Sequence, residues 1–600
     1  MDIKIKRNLF FLQRESHFIL HRKMNLESLS GEIIFEIFDF LHDTDILQSF
    51  SNLNNRFNGL LVTYFRVSPQ LDLHSMTKSY FHMACNSFIP LIADNIHSLR
   101  LSDNDDTPHQ TALFLFHSLS LYYFPRLKSL TLDNMHSEAV ISQMMIEWQY
   151  PLHLTHLNII NCRILNDWNI VYTLINNIWS LPRLTHCQLD INIVDDVYSI
   201  VPTVMSSTLE VLAIKNMRCN LRELFSLFEH TPRLRHLDIS INETINDHRD
   251  FAFSLPLITT LKLTYEGSFS ALRELLKNVP NVCHCAMRTK NIVVKGKSWA
   301  KIISHHLPKL KIFHLRMEFD QVDLGSTLEK FLLTYKTDFW LKVHRWHTRV
   351  HSFYSSNHQK TVLLYTLAYA FHDHEIFDSG PFGRIESCYS NLESQMSYTH
   401  VHHLSCISLP AFLAPFRHRF SHVSHLFLIL PFENRLWTLF PTFDHLRKLH
   451  ITCSYPQTYN SHVSGQFQTF LDRAPRLRSL TFQSSINLVL PLLECIGKSI
   501  TKIELQTSDE YFDWSTCKTL SLSQLAKQCH ILSIKLHHRM NILQLVQKMS
   551  QIRTLNVDFP SNRYQTNDDQ LIKWLQCQLP PTCMVAQDMT HSNRIQLWIR

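Results

Sequence analysis

Two Gly-Lys-Ser tripeptides, at Gly296 and Gly497, are where residue types first suggest chemistry, since a lysine behind a glycine-rich turn can cradle phosphate. That motif needs a further glycine five residues earlier, where Asn291 and Leu492 stand. Glycine is scarce throughout, 9 in 600, which argues against loops whose backbone must approach a phosphate and leaves few residues for positive φ. His372-Asp373-His374-Glu375 has metal-ligating residue types but lacks the spacing that puts two imidazoles on one helix face, so it reads as a polar surface turn. Cys283 and Cys285 share one face of a strand without a partner pair, and so read as structural thiols. There is no G-x-S-x-G, and no carboxylate pair spaced for acid–base work. The expectation is a non-enzymatic chain with no catalytic residue, no metal and no cofactor.

The chemistry that does emerge is binding, and it sits on a repeated pattern. Apolar-x-x-apolar-x-apolar recurs sixteen times, commonly with a proline two residues before its first position, which is Ile96, Leu127, Leu154, Leu184, Leu209, Leu234, Ile258, Val282, Leu310, Val401, Val423, Leu446, Leu477, Ile500, Ile531 or Ile552. Apart from a 91-residue gap after Leu310, the copies lie 21 to 31 residues apart. In a short strand the apolar positions two apart point inward and the residues beside them point out. The second, third and fifth positions therefore form an exposed face. They hold 11 basic residues against 3 acidic ones, although the whole chain is only +7, and six histidines collect at the third position. Arg235, His236, Lys262, His284 and Lys311 are the expected contacts for a substrate that is acidic or phosphorylated. The same charges would also serve simply to solvate an exposed sheet. Nucleic acid is disfavoured because Phe427 is the lone aromatic for stacking among these positions.

Between the strands come helical stretches such as Asn220 to Glu229, with Leu221, Leu224, Phe225 and Phe228 on one stripe. A strand-plus-helix unit of this length cannot bury its face alone, so neighbours must share a core. The expected class is α/β: a solenoid of parallel strands and helices similar to leucine-rich repeats over 66–315 and, less regularly, over 401–600 with a C-terminal cap. Residues 316–400 break the period and read as an inserted module, with Thr361 to Leu367 as strand.

Composition agrees. Hydrophobic residues are 45% and charged residues 18%, which excludes a disordered chain. Fourteen cysteines with no C-x-x-C, and one glycosylation sequon at Asn242-Glu243-Thr244, suggest reduced thiols in the cytoplasm and/or nucleus. Residues 1–24 form a basic extension with Lys4, Lys6, Arg7 and Arg14; its apolar run Leu9 to Leu12 is too short for a signal sequence, and Met24 is an alternative start. No stretch approaches the ~20 apolar residues of a membrane span.

Residues 25–65 differ from everything after them. Ile33, Ile34, Ile37, Phe38 and Leu41 make a helical stripe; Asp43 or Thr44 could cap a second helix with Ile46 and Leu47, and Ser51 a third with Leu53, Phe57 and Leu60. Three helices this short bury little unaided, and a partner would complete them. Leu29, Glu32, Ile33, Ile34, Ile37, Phe38, Phe40, Leu41, Asp45, Ile46, Leu53 and Arg56 stand in the order and spacing of an F-box, which this segment of about 40 residues resembles. It departs at Ser30 (usually Pro), Asn54 (usually Cys) and Phe57 (usually Trp). The resemblance implies a substrate-recognition subunit of an Skp–cullin–F-box ubiquitin ligase. Leu29, Glu32, Ile33, Ile34, Ile37, Phe38, Leu41, Ile46, Leu53 and Phe57 would face or support the Skp adaptor, cullin would join through it, and the repeats would hold a protein substrate. The competing expectation is a repeat scaffold with no ubiquitin-ligase connection.

Overall fold

The computed structural model describes residues 26–599 except 118, 165–167, 194–200, 243–254, 256, 321–326, 355–359, 377–383, 388–397, 407–419, 433, 435, 441, 454–460, 508–509, 561–567 and 588–593. The basic extension with Met24, and most of the sequon, lie outside the described residues.

Three helices lead: α1 (Gly31–Asp39), α2 (Asp43–Phe50) and α3 (Asn55–Val67). Ile34, Phe38, Ile46, Leu47, Phe50 and Phe57 are buried among them, with Phe38 and Phe50 rings edge to face at 4.9 Å. The caps differ from expectation. Asn54, not Ser51, caps α3 by accepting from the Phe57 N–H at 3.0 Å, because Ser51 turns back to donate to the Leu47 carbonyl. Asp43 lies inside α2 rather than ahead of it, and its carboxylate instead accepts from the Asp72 N–H at 2.8 Å, tying the module to the first strand.

Everything after is α/β, built on two large, mostly parallel sheets. The first contains β1 (Gln70–Asp72), β2 (Ser98–Ser102), β3 (Ser129–Asp133), β4 (His156–Ile164), β5 (His186–Ile193), β6 (Val211–Cys219), β7 (His236–Asn242), β8 (Thr260–Glu266), β9 (His284–Lys290) and β10 (Ile312–Asp320), parallel and in sequence order. The antiparallel strands β11 (His347–Tyr354) and β12 (Lys360–Leu367) follow, with β12 paired to β10. The second sheet opens with β13 (Asp373–Ile376); β14 (Arg384–Ser387) returns to β11. It continues in parallel through β15 (His403–Cys406), β16 (His425–Leu430), β17 (Lys448–Cys453), β18 (Ser479–Gln483), β19 (Lys502–Leu505), β20 (Ile531–Lys535) and β21 (Thr554–Asp558). The antiparallel pair β22 (Met584–Gln587) and β23 (Arg594–Trp598) ends it.

The sequence pattern explains the register. Pro125 and Pro232 are each the second residue of a β-turn that delivers the chain into a strand: the Leu127 N–H donates to the Phe124 carbonyl across Pro125, and Leu234 to Thr231 across Pro232. The carbonyl just before each strand then accepts twice from the next copy, as Lys128 does from Thr155 (2.8 Å) and His156 (2.9 Å). This register stacks Leu99, Leu130, Leu157, Cys187, Leu212, Leu237, Leu261, Cys285 and Phe313 in one buried row. Helices such as Leu221–Glu229, closed by a capping box between Asn220 and Glu223, cover it. With glycine scarce, Asn134, Asn161, Asn216 and Asn291 take the positive-φ positions, asparagine being the ordinary residue best able to do so.

Two further expectations need correction. Ile531 pairs with Lys502, so that copy begins at the buried Cys529, two residues earlier than its pattern suggests, and Lys535 moves to the seventh position. His372 to Glu375 is no surface turn. Residues from Asp373 on form β13, and His374 is buried at the head of the row continued by Leu404, Leu426, Leu449, Leu480, Ile503, Leu532 and Leu555. The imidazole fits because Tyr369, Tyr398 and Phe420 surround it, with ring centroids 4.9 to 6.0 Å away.

The run Thr361 to Leu367 is strand, as its composition suggests, and nearly continuous in apolar residues because both faces of β12 are covered. Val362 and Leu364 join the first sheet's core; Leu363 and Tyr365 join the second's. The far ends of the chain also meet. In the helix α4 (Lys78–Met83), Phe81 lies 6.3 Å from the Trp598 ring, and the Lys78 Nζ donates to the Thr582 carbonyl at 2.7 Å. Trp598 is thereby part of the first sheet's core.

Candidate functional site

At the N-terminal module the inner and outer faces of α1 separate cleanly. Ile34 and Phe38 are fully buried, whereas Ile33 is 44% exposed and Phe40 85%; Ile37 and Leu41, on the same side as Ile33, are half-buried. Leu53 is 51% exposed at the entry to α3, Glu32 is exposed, and Leu29 is half-buried. Arg56 fixes that edge: its guanidinium donates to the Glu27 carbonyl at 2.8 Å and to the Leu29 carbonyl, while the Asn54 amide donates to Glu27 Oε1 at 2.9 Å. Of the ten residues assigned to adaptor binding, Ile34, Phe38, Ile46 and Phe57 are buried inside the chain and support the surface from behind. The aromatic ring of Phe57, 5.6 Å from Phe50, serves the module's own packing.

The exposed sheet face carries the charges. Arg235, His236, Lys262, His284 and Lys311 are all exposed. The register places His236, Thr260 and His284 side by side on β7, β8 and β9, and Asp238, Lys262, Ala286 and His314 in the next row. Arg235 and Lys311 sit at the entry to β7 and β10 rather than on the face itself. Along the third position the imidazoles stack in pairs: His156 on His186 and His403 on His425, each with centroids 4.2 Å apart and planes within 13°.

The second, third and fifth positions do not describe this face completely, because the seventh also lies on it. There Arg288 on β9 and Arg316 on β10 reach across to Asp373 on β13, with Arg316 Nη1 2.7 Å from Asp373 Oδ2 and Arg288 Nη1 3.0 Å from it. Burial pushes the Asp373 carboxyl up, but the bonds and charges of Arg288 and Arg316 outweigh it and hold it at about 2. Tyr369 donates to the Asp373 carbonyl at 2.6 Å, and the buried Arg349 donates to the Tyr398 hydroxyl, itself 2.9 Å from that of Tyr365. The signal for this seam was the His372–Glu375 cluster, misplaced to a turn.

The tempting phosphate motifs are packing sites. Gly296 starts the helix Gly296–His306 where any Cβ would strike the Thr334 backbone, and Trp340 Nε1 donates to its carbonyl at 3.0 Å. At Gly497 a Cβ would meet the end of the Ile500 side chain instead of backbone. Cys285 is buried, which pushes its thiol up to about 12, and Cys283 is half-buried. Among the described residues no cysteine forms a disulfide, and no helix is long and apolar enough to cross a membrane. The sequence matches no protein-family model and no curated protein.

Proposed function

We propose that the chain is a non-catalytic substrate-recognition adaptor of an Skp–cullin–F-box ubiquitin ligase. Its first three helices serve as an F-box that docks on the Skp adaptor and through it on cullin. The two sheets serve as a leucine-rich-repeat-like solenoid whose exposed face holds a protein substrate, in the cytoplasm and/or nucleus. The observation that carries this reading is the outer stripe of α1 with Leu53. A helical module that merely capped the solenoid would turn its large apolar residues inward, yet Ile33, Phe40 and Leu53 face solvent while their neighbours already fill the module's core. The repeat-scaffold alternative leaves that stripe unexplained. Affinity capture of the full chain from cells tests the proposal: Skp-type adaptor and cullin should co-purify with wild type and be absent with Ile33→Glu/Leu53→Glu. Equal recovery from both, or recovery from neither, contradicts it.

A further inference from the structure

The seam between the sheets gathers histidines from both sides. From the first sheet come Lys262 on β8, His284 on β9 and His314 on β10, which occupy adjoining rows. From the second come His403 on β15, His425 on β16 and Lys448 on β17, one unbroken row that starts at Asp373. His372 stacks on His402 at 5.5 Å beside them, and the fields of His400 and Lys262 reach His372. These groups come from strands far apart in sequence, brought together because Arg288 and Arg316 clasp Asp373.

Two acidic residues at the seam are already engaged: Asp373 is held between two guanidiniums and Glu318 lies 3.9 Å from Arg316. Burial pushes the Glu375 carboxyl up, and Asp238 is the acidic neighbour of Lys262 in the register. Lys262, Arg447 and Lys448, by contrast, form no ion pair among the described residues. No three His, Cys, Asp or Glu converge as metal ligands among those residues either. What the imidazoles share with the lysines is the capacity to donate hydrogen bonds to an anion.

We propose that this seam binds an acidic peptide segment of a protein partner, its carboxylate or phosphate oxygens received by Lys262 from one sheet and by His403, His425 and Lys448 from the other. The proposal rests on reading the exposed sheet as the substrate surface, and not on the Skp contact. It moves recognition from the middle of the first sheet to the junction.

Proton uptake follows from the geometry. Two imidazoles stacked at 4.2 Å repel when both are charged, and here burial, then His403, Lys448, Arg447 and His402, hold His425 down at about 4. Burial lowers His403 as well, against the pull of Asp373, with His402, Lys448 and His372 adding to the lowering; burial also lowers His314, next to His400 and His284. In the free seam His314, His403 and His425 are therefore neutral near pH 7. An anion laid across them reverses that balance, so the complex takes up protons and binding tightens as pH falls.

The test measures binding of two fluorescein-labelled peptides to the full chain, one Asp/Glu-rich and one phosphoserine-rich, at about pH 8 and about pH 6. At least one should bind roughly tenfold more tightly at the lower pH, and which one does so identifies the source of the anion. His403→Gln/His425→Gln should abolish that pH dependence. Lys262→Glu/Lys448→Glu should weaken binding about tenfold or more at both pH values. His156→Gln/His186→Gln, the equivalent stacked pair outside the seam, should behave as wild type. Unchanged binding in both seam variants, loss in the His156/His186 variant instead, or preference for a single-stranded oligonucleotide over both peptides overturns the proposal. Skp capture on the same preparations keeps failure here distinct from failure of the ligase reading.

Discussion

Ile33 and Ile34 are adjacent and chemically identical, yet α1 gives them opposite tasks. Replacing the outer one should leave stability within about 0.5 kcal/mol, as surface changes do, whereas Phe38→Ala removes a fully buried ring and should cost about 3–5 kcal/mol in chemical unfolding. If Ile33→Glu proved as destabilising as Phe38→Ala, the division of α1 into two faces would be wrong. Asp373 gives a prediction in pH. Its folded value of about 2 lies below its ordinary 3.8, so its contribution is present above pH 4 and disappears as pH falls toward 2. With 42% of the side chain exposed, screening limits it to about 1 kcal/mol or less. The melting temperatures of wild type and Asp373→Asn should accordingly differ at pH 7 and converge near pH 2; a constant gap would dissociate Asp373 from the clasp. Residue types pointed to the apolar set of the first module, but not to which members face outward. The cap of α3 is ambiguous for a related reason: Ser51 and Asn54 are equally able caps in sequence, and only the return of Ser51 to the Leu47 carbonyl decides between them.

At the scale of elements, the recurrent proline turns and their apolar triplets made the first sheet legible, because turn, strand and buried row all follow from one short pattern. Leu237 sits mid-row between Leu212 and Leu261, and Leu237→Ala should cost about 2–5 kcal/mol, read from the midpoint of denaturant unfolding. A cost below ~0.5 kcal/mol would mean that the row is not continuous. The strand β13 escaped notice because its buried position holds His374 where every other copy offers an apolar residue, and because it falls inside the 91-residue gap where the period gives no guide. The shift from Ile531 to Cys529 has a similar cause: both are apolar and two apart, and pairing alone tells them apart. Lys535 therefore leaves the fifth position, so one of the eleven basic residues behind the charged-face argument moves along the strand without leaving its face.

For the whole molecule, the notable feature is that the last hairpin packs beside α4. Asp105 accepts from Lys502 at 2.5 Å and from the Asn556 amide at 2.9 Å, joining the turn after β2 to β19 and β21. Burial pushes Asp105 up, but Lys502 outweighs it and holds the carboxyl below its usual range. Phe81→Ala should thus speed amide hydrogen exchange in Arg594–Trp598 and in α4 together by tenfold or more, since the Phe81–Trp598 ring contact packs the two against each other. Exchange that changes in α4 alone would show that the ends are independent. None of this was visible in sequence, where nothing relates residue 81 to residue 598. The central claim concerns the outer stripe of α1. Its most direct test is a titration of purified full chain with purified Skp-type adaptor, monitored by calorimetry. The account predicts one-to-one binding by wild type, a loss of thirtyfold or more in Ile33→Glu/Leu53→Glu, and no change in that variant's melting temperature. Absence of wild-type binding, or equal affinity in the two proteins, would contradict it.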